Sequence, residues 1–273
     1  MLSAFLTYVI TNPSSVVLEL LMGFIGFRWF LVPADRRRTE LLFVFGAILG
    51  PISLLLQVVL PELSRLRPMK YDLYIYRFDM PFGQPSFRLG EIVATHPWCK
   101  ILVIVSYNLI FVAVLGTLAA YLWLRSEAET IMVVKAFVLN CFAAIAFYLI
   151  FPVCGPVFAF PHYPQTPPEN IVPHPLAINA APNGIPSVHT STALLVLWFL
   201  RRWWWGRIAG GVFLALTILA TLGSGEHYLF DLFCAVPYAI GVVWIVYRLD
   251  RRRVSTKTSV QSSKIIPAES GSE

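Results

Sequence analysis

Asn183–Thr192, with the sequence NGIPSVHTST, marks an abrupt change in the character of the chain. The segment before it is rich in proline and lacks Lys and Arg, whereas the run Ala193–Leu200 after it is strongly apolar. Ser187 occupies the position of a helix N-cap, because its hydroxyl oxygen can accept a hydrogen bond from a backbone N–H of the first helical turn. We therefore predict that His189 lies at the start of an apolar helix.

A second polar stretch, Gly223–Asp231 with the sequence GSGEHYLFD, also lies between two apolar runs. Its His227 and Asp231 are four residues apart, and side chains at that spacing are neighbours on one face of a helix. A carboxylate in this position accepts the Nδ1–H of the imidazole and leaves Nε2 free as a nucleophile or base. His189 is the complementary acid or base if the two polar stretches meet.

Composition places the chain among membrane proteins. Of its 273 residues, 57% are hydrophobic and only 13% are charged, and the mean hydropathy is +0.69, whereas a soluble domain has about 25% charged residues. The net charge of +6 comes with arginines at the ends of apolar runs. That pattern is typical of the positive-inside anchors of membrane helices, so we expect no nucleic acid partner. The four cysteines show no metal-binding spacing, and a Cys99–Cys154 disulfide is left open.

The apolar runs predict an all-α, polytopic membrane bundle of about six to seven transmembrane helices. We expect residues 1–12 to lie along the interface and residues 61–100, where aromatic and charged residues alternate, to lie at headgroup level. Residues 251–273 are polar and predict a disordered cytoplasmic tail. Residues 1–250 then form a single domain, with a catalytic core at about 130–248. The predicted spans are about Ser15–Val32, Leu41–Leu60, Ile101–Leu124, Ile131–Val153, His189–Arg201, Ile208–Leu222 and Tyr228–Tyr247.

The distribution of Lys and Arg predicts the orientation of these spans. Basic clusters such as Arg36–Arg38 and Arg201–Arg207 mark the cytoplasmic side, and the proline-rich segment without Lys or Arg marks the other side. The N-terminus is then outside and the C-terminus inside. Because two spans separate His189 from Asp231, both polar stretches emerge on the non-cytoplasmic face. We expect a multi-pass protein of the plasma (inner) membrane.

Two features together favour transfer of a phospho group. Two imidazoles with a carboxylate can act as nucleophile and acid, and the start of a helix offers backbone N–H groups to an anion. Gly225 would let the backbone approach a ligand closely. A metal site is an alternative, since histidine is a common zinc ligand, but the sequence contains no zinc-binding spacing. The histidines predicted on the non-cytoplasmic side are His162, His174, His189 and His227.

The residues Pro186–His189 (PSVH) and the H-x(3)-D of His227 and Asp231 resemble two motifs of the type 2 phosphatidic acid phosphatase superfamily. Its second motif is P-S-G-H and its third is S-R-x(5)-H-x(3)-D. The stretch Phe147–Pro156 (FYLIFPVCGP), together with Glu-His-Tyr at the third motif, is most similar to the branch that contains inositol phosphorylceramide synthases, which are inositolphosphotransferases. The resemblance covers roughly residues 60–245.

This resemblance implies a mechanism without a metal or other cofactor. His227 would be the nucleophile and form a phosphohistidine, Asp231 would orient it, and His189 would protonate the leaving group and then activate the acceptor. The substrate would be a phospholipid or lipid phosphate, and the acceptor a lipid alcohol or water. We predict that Ser187, Gly225 and Tyr228 line the substrate site.

Several positions depart from the family motifs. Val188 replaces the glycine of P-S-G-H, and Thr221 stands where the third motif has arginine. Lys70 and Arg77 have the K-x(6)-R spacing of the first motif, and they are candidates for substrate binding, although Phe78 replaces the proline.

The missing arginine favours one class of phosphoester. A bidentate arginine is the preferred clamp for a doubly charged phosphate, so its loss favours a singly charged phosphodiester and a lipid headgroup phosphotransferase. A lipid phosphate or prenyl diphosphate phosphatase is the alternative. A non-catalytic lipid transporter or scaffold with a degenerate site is the second alternative.

Overall fold

The computed structural model describes residues 13–168 and 170–263, and it confirms the all-α membrane bundle. Short elements connect the α-helices of the bundle. They are two 3-10 helices, Pro33–Asp35 and Met80–Phe82, and two strands, β1 (Met69–Lys70) and β2 (Leu176–Ala177). The α-helices are α1 (Pro13–Leu31), α2 (Arg36–Leu66), α3 (Asp72–Asp79), α4 (Pro85–Thr95), α5 (Pro97–Leu124), α6 (Glu127–Ile150), α7 (Pro156–Ala159), α8 (Val188–Leu200), α9 (Trp204–Gly223) and α10 (Leu229–Ser263).

Five helical segments among the described residues are long and apolar enough to cross a membrane, and α8 is a shorter apolar helix. The chain is therefore an integral membrane protein. The five segments are Pro33–Leu66, Pro97–Leu124, Glu127–Ile150, Trp204–Gly223 and Leu229–Arg251.

The short helix α8 lies at the centre of the bundle. It packs against α5, α6, α9 and α10. A helix that is apolar on all sides must be covered on all sides, and Ala193, Leu195 and Phe199 are almost completely buried. The central position of α8 fixes the place of its first turn, which carries His189.

Several elements differ from the sequence predictions. Helix α2 continues to Leu66, beyond the predicted end at Leu60, although it contains Pro51 and Pro61. The segment expected only to lie at headgroup level folds into β1, α3 and α4, because its apolar residues can be buried on one side. α10 continues to Ser263, since residues 251–263 contain no glycine or proline to end it. Residues 1–12 and 264–273, with their predictions, lie outside the described residues.

Residues 69–95 and 151–187, together called the cover, form a second small core beside the bundle. The antiparallel pair of β1 and β2 joins the two halves, with Met69 opposite Ala177. Side chains from both halves, including Tyr76, Phe87 and Phe160, pack with Tyr228. The proline-rich segment is thus irregular apart from α7 and β2, and it is held in place by residues that are distant in sequence. All four cysteines are unpaired, so the Cys99–Cys154 disulfide is not formed.

We expect Gly155→Ala to destabilise the protein by more than ~1 kcal/mol, because Gly155 has φ = 103° and an added Cβ would collide with the carbonyl oxygen of Glu226. The measurement is the thermal unfolding midpoint of purified protein in detergent. Gly116→Ala is the matched control, since an added Cβ there meets no atom within 4 Å. Equal midpoints for the two variants would contradict the packing of the cover against residue 226.

Candidate active site

His227 and Asp231 form a buried pair at the start of α10. The Nδ1 atom of His227 lies 3.2 Å from Oδ2 of Asp231, and the two side chains are 3% and 0% exposed. His227 precedes the first helical residue, Leu229, so the predicted contact forms where the chain enters the helix rather than on a helix face. An ionised carboxylate only accepts hydrogen bonds, so Nδ1 carries the proton and Nε2 keeps its lone pair.

Asp231 also fixes the backbone around it. Its Oδ2 accepts a hydrogen bond from Tyr228 N at 2.9 Å, and its backbone oxygen accepts one from Ser187 N at 3.4 Å. Its Oδ1 atom is buried without a hydrogen-bond partner among the described residues. Because buried carboxylate oxygens are normally satisfied, this atom is an acceptor open to a ligand or water.

His189 lies in the first turn of α8, as predicted. Ser187 is the N-cap, and its hydroxyl accepts a hydrogen bond from Thr190 N at 3.3 Å. The ring centroids of His189 and His227 are 6.3 Å apart. The structure therefore brings the two polar stretches of the sequence together, with one imidazole from each.

Tyr107 and Glu226 adjoin the two histidines, and no spacing in the sequence indicates this contact. The Tyr107 ring packs edge-on against His189, with centroids 4.7 Å apart. Its hydroxyl donates to Oε2 of Glu226 at 2.9 Å and lies 3.1 Å from the hydroxyl of Ser224. Glu226 stands in the second polar stretch and could have been considered, but Tyr107 lies within the apolar helix α5 and carries no motif.

Asp79, on α3, caps α10 from a distant part of the chain. Its carboxylate accepts hydrogen bonds from Leu229 N at 2.6 Å and from Phe230 N at 3.1 Å. These are free N–H groups of the first turn, where the helix dipole also favours a negative charge. Asp79 thereby holds the helix that carries Asp231.

Asp72 binds the other side of the same entrance to α10. Its carboxylate accepts hydrogen bonds from Gly155 N at 2.9 Å and from the hydroxyl of Tyr228 at 3.1 Å. Burial, with a smaller contribution from the charge of Asp231, raises the pKa of Asp72 to about 6 and that of Asp79 to about 7. Burial is the larger cause for each carboxyl, and the backbone hydrogen bonds oppose it.

Two of the predicted substrate-binding residues have other contacts. The backbone of Gly225 has φ = 74°, and the space that a Cβ would need there is filled by the ring of Tyr163. Tyr228 is buried, and its hydroxyl is bound to Asp72. Both residues shape the loop around His227 in this structure.

The two candidate cations lie apart from the histidines. Lys70 is buried, its Nζ donates to the carbonyl oxygen of Arg67 at 2.5 Å, and burial lowers its pKa. Arg77 is exposed near the end of α3. Within residues 13–168 and 170–263, no hydrogen bond or ion pair joins Lys70 or Arg77 to His189 or His227. Their contact with substrate stays a prediction.

A metal site was the alternative interpretation of the histidines. In the part of the chain that the structure describes, no three His, Cys, Asp or Glu side chains are grouped so that they could hold a metal ion. His162 and His174 are both exposed on the cover. The Nδ1 atom of His174 lies 2.9 Å from the carbonyl oxygen of Val172.

These features define a helical membrane protein with two facing histidines, one of them bound to a buried carboxylate. A family model described as the PAP2 superfamily matches residues 74–245, which is more than half of the chain, and the chain belongs to that superfamily. No curated protein and no solved structure matches the chain. The resemblance is confirmed for the superfamily, and membership supports, at the general level, a phosphatase or phosphotransferase that acts on lipid-type substrates.

We expect the free energy of unfolding to fall by roughly a few kcal/mol as the pH rises from about 4 to about 7, because the folded protein holds a proton on Asp79 that the unfolded chain has lost. Asp79→Asn removes this titration, and its stability should depend less on pH. The measurement is the thermal midpoint in detergent from pH 4 to pH 8. Glu62→Gln changes an exposed carboxylate outside the cover and is the control. The same pH slope in Asp79→Asn as in the wild type would contradict the prediction.

Proposed function

We propose that the chain is a membrane-embedded enzyme that transfers a phospho group from a lipid phosphoester through a phosphohistidine on His227. The observation that carries this proposal is the buried contact between His227 Nδ1 and Asp231 Oδ2, with His189 facing it. That contact holds the imidazole in the tautomer whose free Nε2 can attack phosphorus. The catalytic residues are therefore His227, Asp231 and His189, and the reaction needs no metal.

The reaction has two balanced steps. His189 must enter the first step protonated. Nε2 of His227 attacks phosphorus, the bond to the leaving oxygen breaks, and the imidazolium of His189 gives a proton to that oxygen, which departs as an alcohol. Neutral His189 then takes the proton of an acceptor hydroxyl. The acceptor oxygen attacks the phosphohistidine, the P–N bond breaks, and both histidines return to their starting states. Asp231 stabilises the positive charge that develops on His227 during attack.

Tyr107 is a positioning residue for His189 in this mechanism. Its ring packs against the imidazole, and its hydroxyl is fixed by Glu226 and Ser224. A ring that is held at both ends limits the rotation of His189, and good orientation of an acid or base group contributes directly to the rate.

The charges around the site favour a phosphodiester donor. Thr221, at the position of the family arginine, is buried, and its hydroxyl donates to the carbonyl oxygen of Thr217. Glu226, which accepts a hydrogen bond from the Tyr107 hydroxyl beside His189, places a carboxylate nearby. A doubly charged phosphate monoester would be repelled more strongly here than a singly charged diester.

We therefore propose a lipid headgroup phosphotransferase of the inositol phosphorylceramide synthase branch. A lipid phosphate or prenyl diphosphate phosphatase is the alternative, because superfamily membership includes phosphatases. The two activities differ in the donor, which is a phosphodiester for the transferase and a phosphate monoester or diphosphate for the phosphatase, and in the acceptor, which is a lipid alcohol or water. We place the site on the non-cytoplasmic face of the plasma (inner) membrane, since the proline-rich part of the cover contains no Lys or Arg.

We expect a phospholipid labelled in its phosphate to leave an acid-labile, base-stable label on the wild-type protein and none on His227→Ala. The label marks the phosphohistidine, and mass spectrometry of the trapped protein locates it. His96→Ala, at an exposed histidine outside the site, is the matched control and should label like wild type. Product analysis with and without ceramide or diacylglycerol then separates transfer from hydrolysis. Wild-type labelling that survives in His227→Ala, or no label and no turnover with any phosphoester, would overturn the proposal.

We expect Tyr107→Phe to lower kcat by about 10- to 100-fold with little change in KM, because a shift of about 1 Å in a catalytic group can cost roughly 100-fold in rate. The ring that packs on His189 remains. Tyr121→Phe removes a buried hydroxyl that binds Phe199 O in the bundle core and is the control. Equal kcat values for the two variants would exclude a positioning role for Tyr107.

A further inference from the structure

A cleft of about 940 Å³ lies between the membrane-spanning helices α6 and α10, below the cover. It is called the α6–α10 groove here. Its walls are almost entirely apolar. Helix α6 contributes one stripe of side chains to it, among them Leu139, Phe147 and Ile150, and helix α10 contributes another that includes Phe230 and Ile245. The groove is open on one side, where Phe147 and Ile150 are 41% and 58% exposed.

One end of the groove lies directly behind the histidine site. Ile185, Pro186 and Phe230 line this end. Pro186 and Phe230 are the immediate neighbours of Ser187 and Asp231 in the sequence. Tyr71 and Tyr74 of the cover close the same end from above. The groove therefore ends next to the segments that carry Ser187 and Asp231.

The groove extends deep into the membrane part of the bundle. Its lining residues on α10 run from Phe230 to Ile245, which at ~1.5 Å per residue is about 22 Å. Gly241 lies near the far end, and an added Cβ there would meet no atom within 4 Å. The lack of a side chain at Gly241 leaves room in the lower part of the groove.

We propose that the α6–α10 groove binds a hydrocarbon chain of the lipid substrate and that Gly241 sets the length of chain that fits. The proposal rests on the proposed function, because it identifies the chain with that of the reacting lipid. An apolar cleft that opens sideways at membrane depth, with polar chemistry at one end only, suits such a chain.

A hydrocarbon chain is the occupant that the position of the groove favours. The groove ends beside the segments that carry Ser187 and Asp231, so a chain joined to a phosphoester can fill it from that end. The partly exposed side chains at the opening would then contact ordinary membrane lipid.

The first test compares Gly241→Leu with Gly211→Leu, which changes a helix glycine outside the groove that also has no atom within 4 Å of an added Cβ. Both variants are assayed with donors of one headgroup that carry long or short acyl chains. We expect the long-to-short ratio of kcat/KM to fall in Gly241→Leu by roughly fivefold or more, because the leucine side chain overpacks the space that a long chain would occupy. The same ratio in both variants would overturn the assignment of Gly241.

The second test measures binding without turnover. A phospholipid with a photoactivatable group near the end of its chain is incorporated into nanodiscs with His227→Ala protein, and the labelled residues are mapped. We expect labels on α6 and α10 around Leu139 and Ile245, and their loss when Gly241→Leu is added. Labels spread evenly over the lipid-exposed helices would contradict the proposal that the α6–α10 groove binds the chain. If no lipid is turned over by the wild type, the proposed function fails, while this labelling still decides whether the groove binds a chain.

Discussion

The start of α10 depends on carboxylates buried in a largely apolar protein. Asp231 holds His227 and the backbone of Tyr228, while Asp79 caps the free N–H groups of the helix from outside. Burying a carboxylate is unfavourable unless hydrogen bonds and compensating charge surround it. The free N–H groups of a helix start supply both, because they donate and lie at the positive end of the helix dipole. The site could not be moved along the helix without losing these donors.

The cover follows from the same requirement. A carboxylate that caps α10 must come from another part of the chain, and α3 supplies Asp72 and Asp79 seven residues apart. Asp72 also binds the backbone at Gly155, so one short helix fastens the proline-rich segment and the entrance to α10 together. The strand pair of Met69–Lys70 with Leu176–Ala177 adds backbone hydrogen bonds to that junction. The cover and the entrance to α10 are thus held by the same contacts.

Local patterns in the sequence predicted the parts of this structure that are local in cause. The apolar runs fixed the helices, the N-cap at Ser187 followed from its hydroxyl, and the spacing of His227 and Asp231 placed them within reach of each other. Asp79 and Tyr107 could not be found in this way, because their partners lie 150 and 119 residues away and no spacing rule links them. The helical cover was missed for a similar reason, since its apolar residues are buried only against one another.

The two sides of the histidine site differ in chemistry, and this difference bears on how a lipid could react there. On one side, Tyr107 and Glu226 form a polar edge beside His189. On the other, Pro186 and Phe230 separate the site from an apolar groove. A phosphoester that joins a hydrocarbon chain to a polar headgroup has the same division. The phosphorus atom would then lie at the boundary, where Nε2 of His227 is free, and the chain would remain in hydrocarbon throughout. Because the chain would exchange one hydrocarbon environment for another, the groove would position the phosphoester at His227 rather than supply affinity.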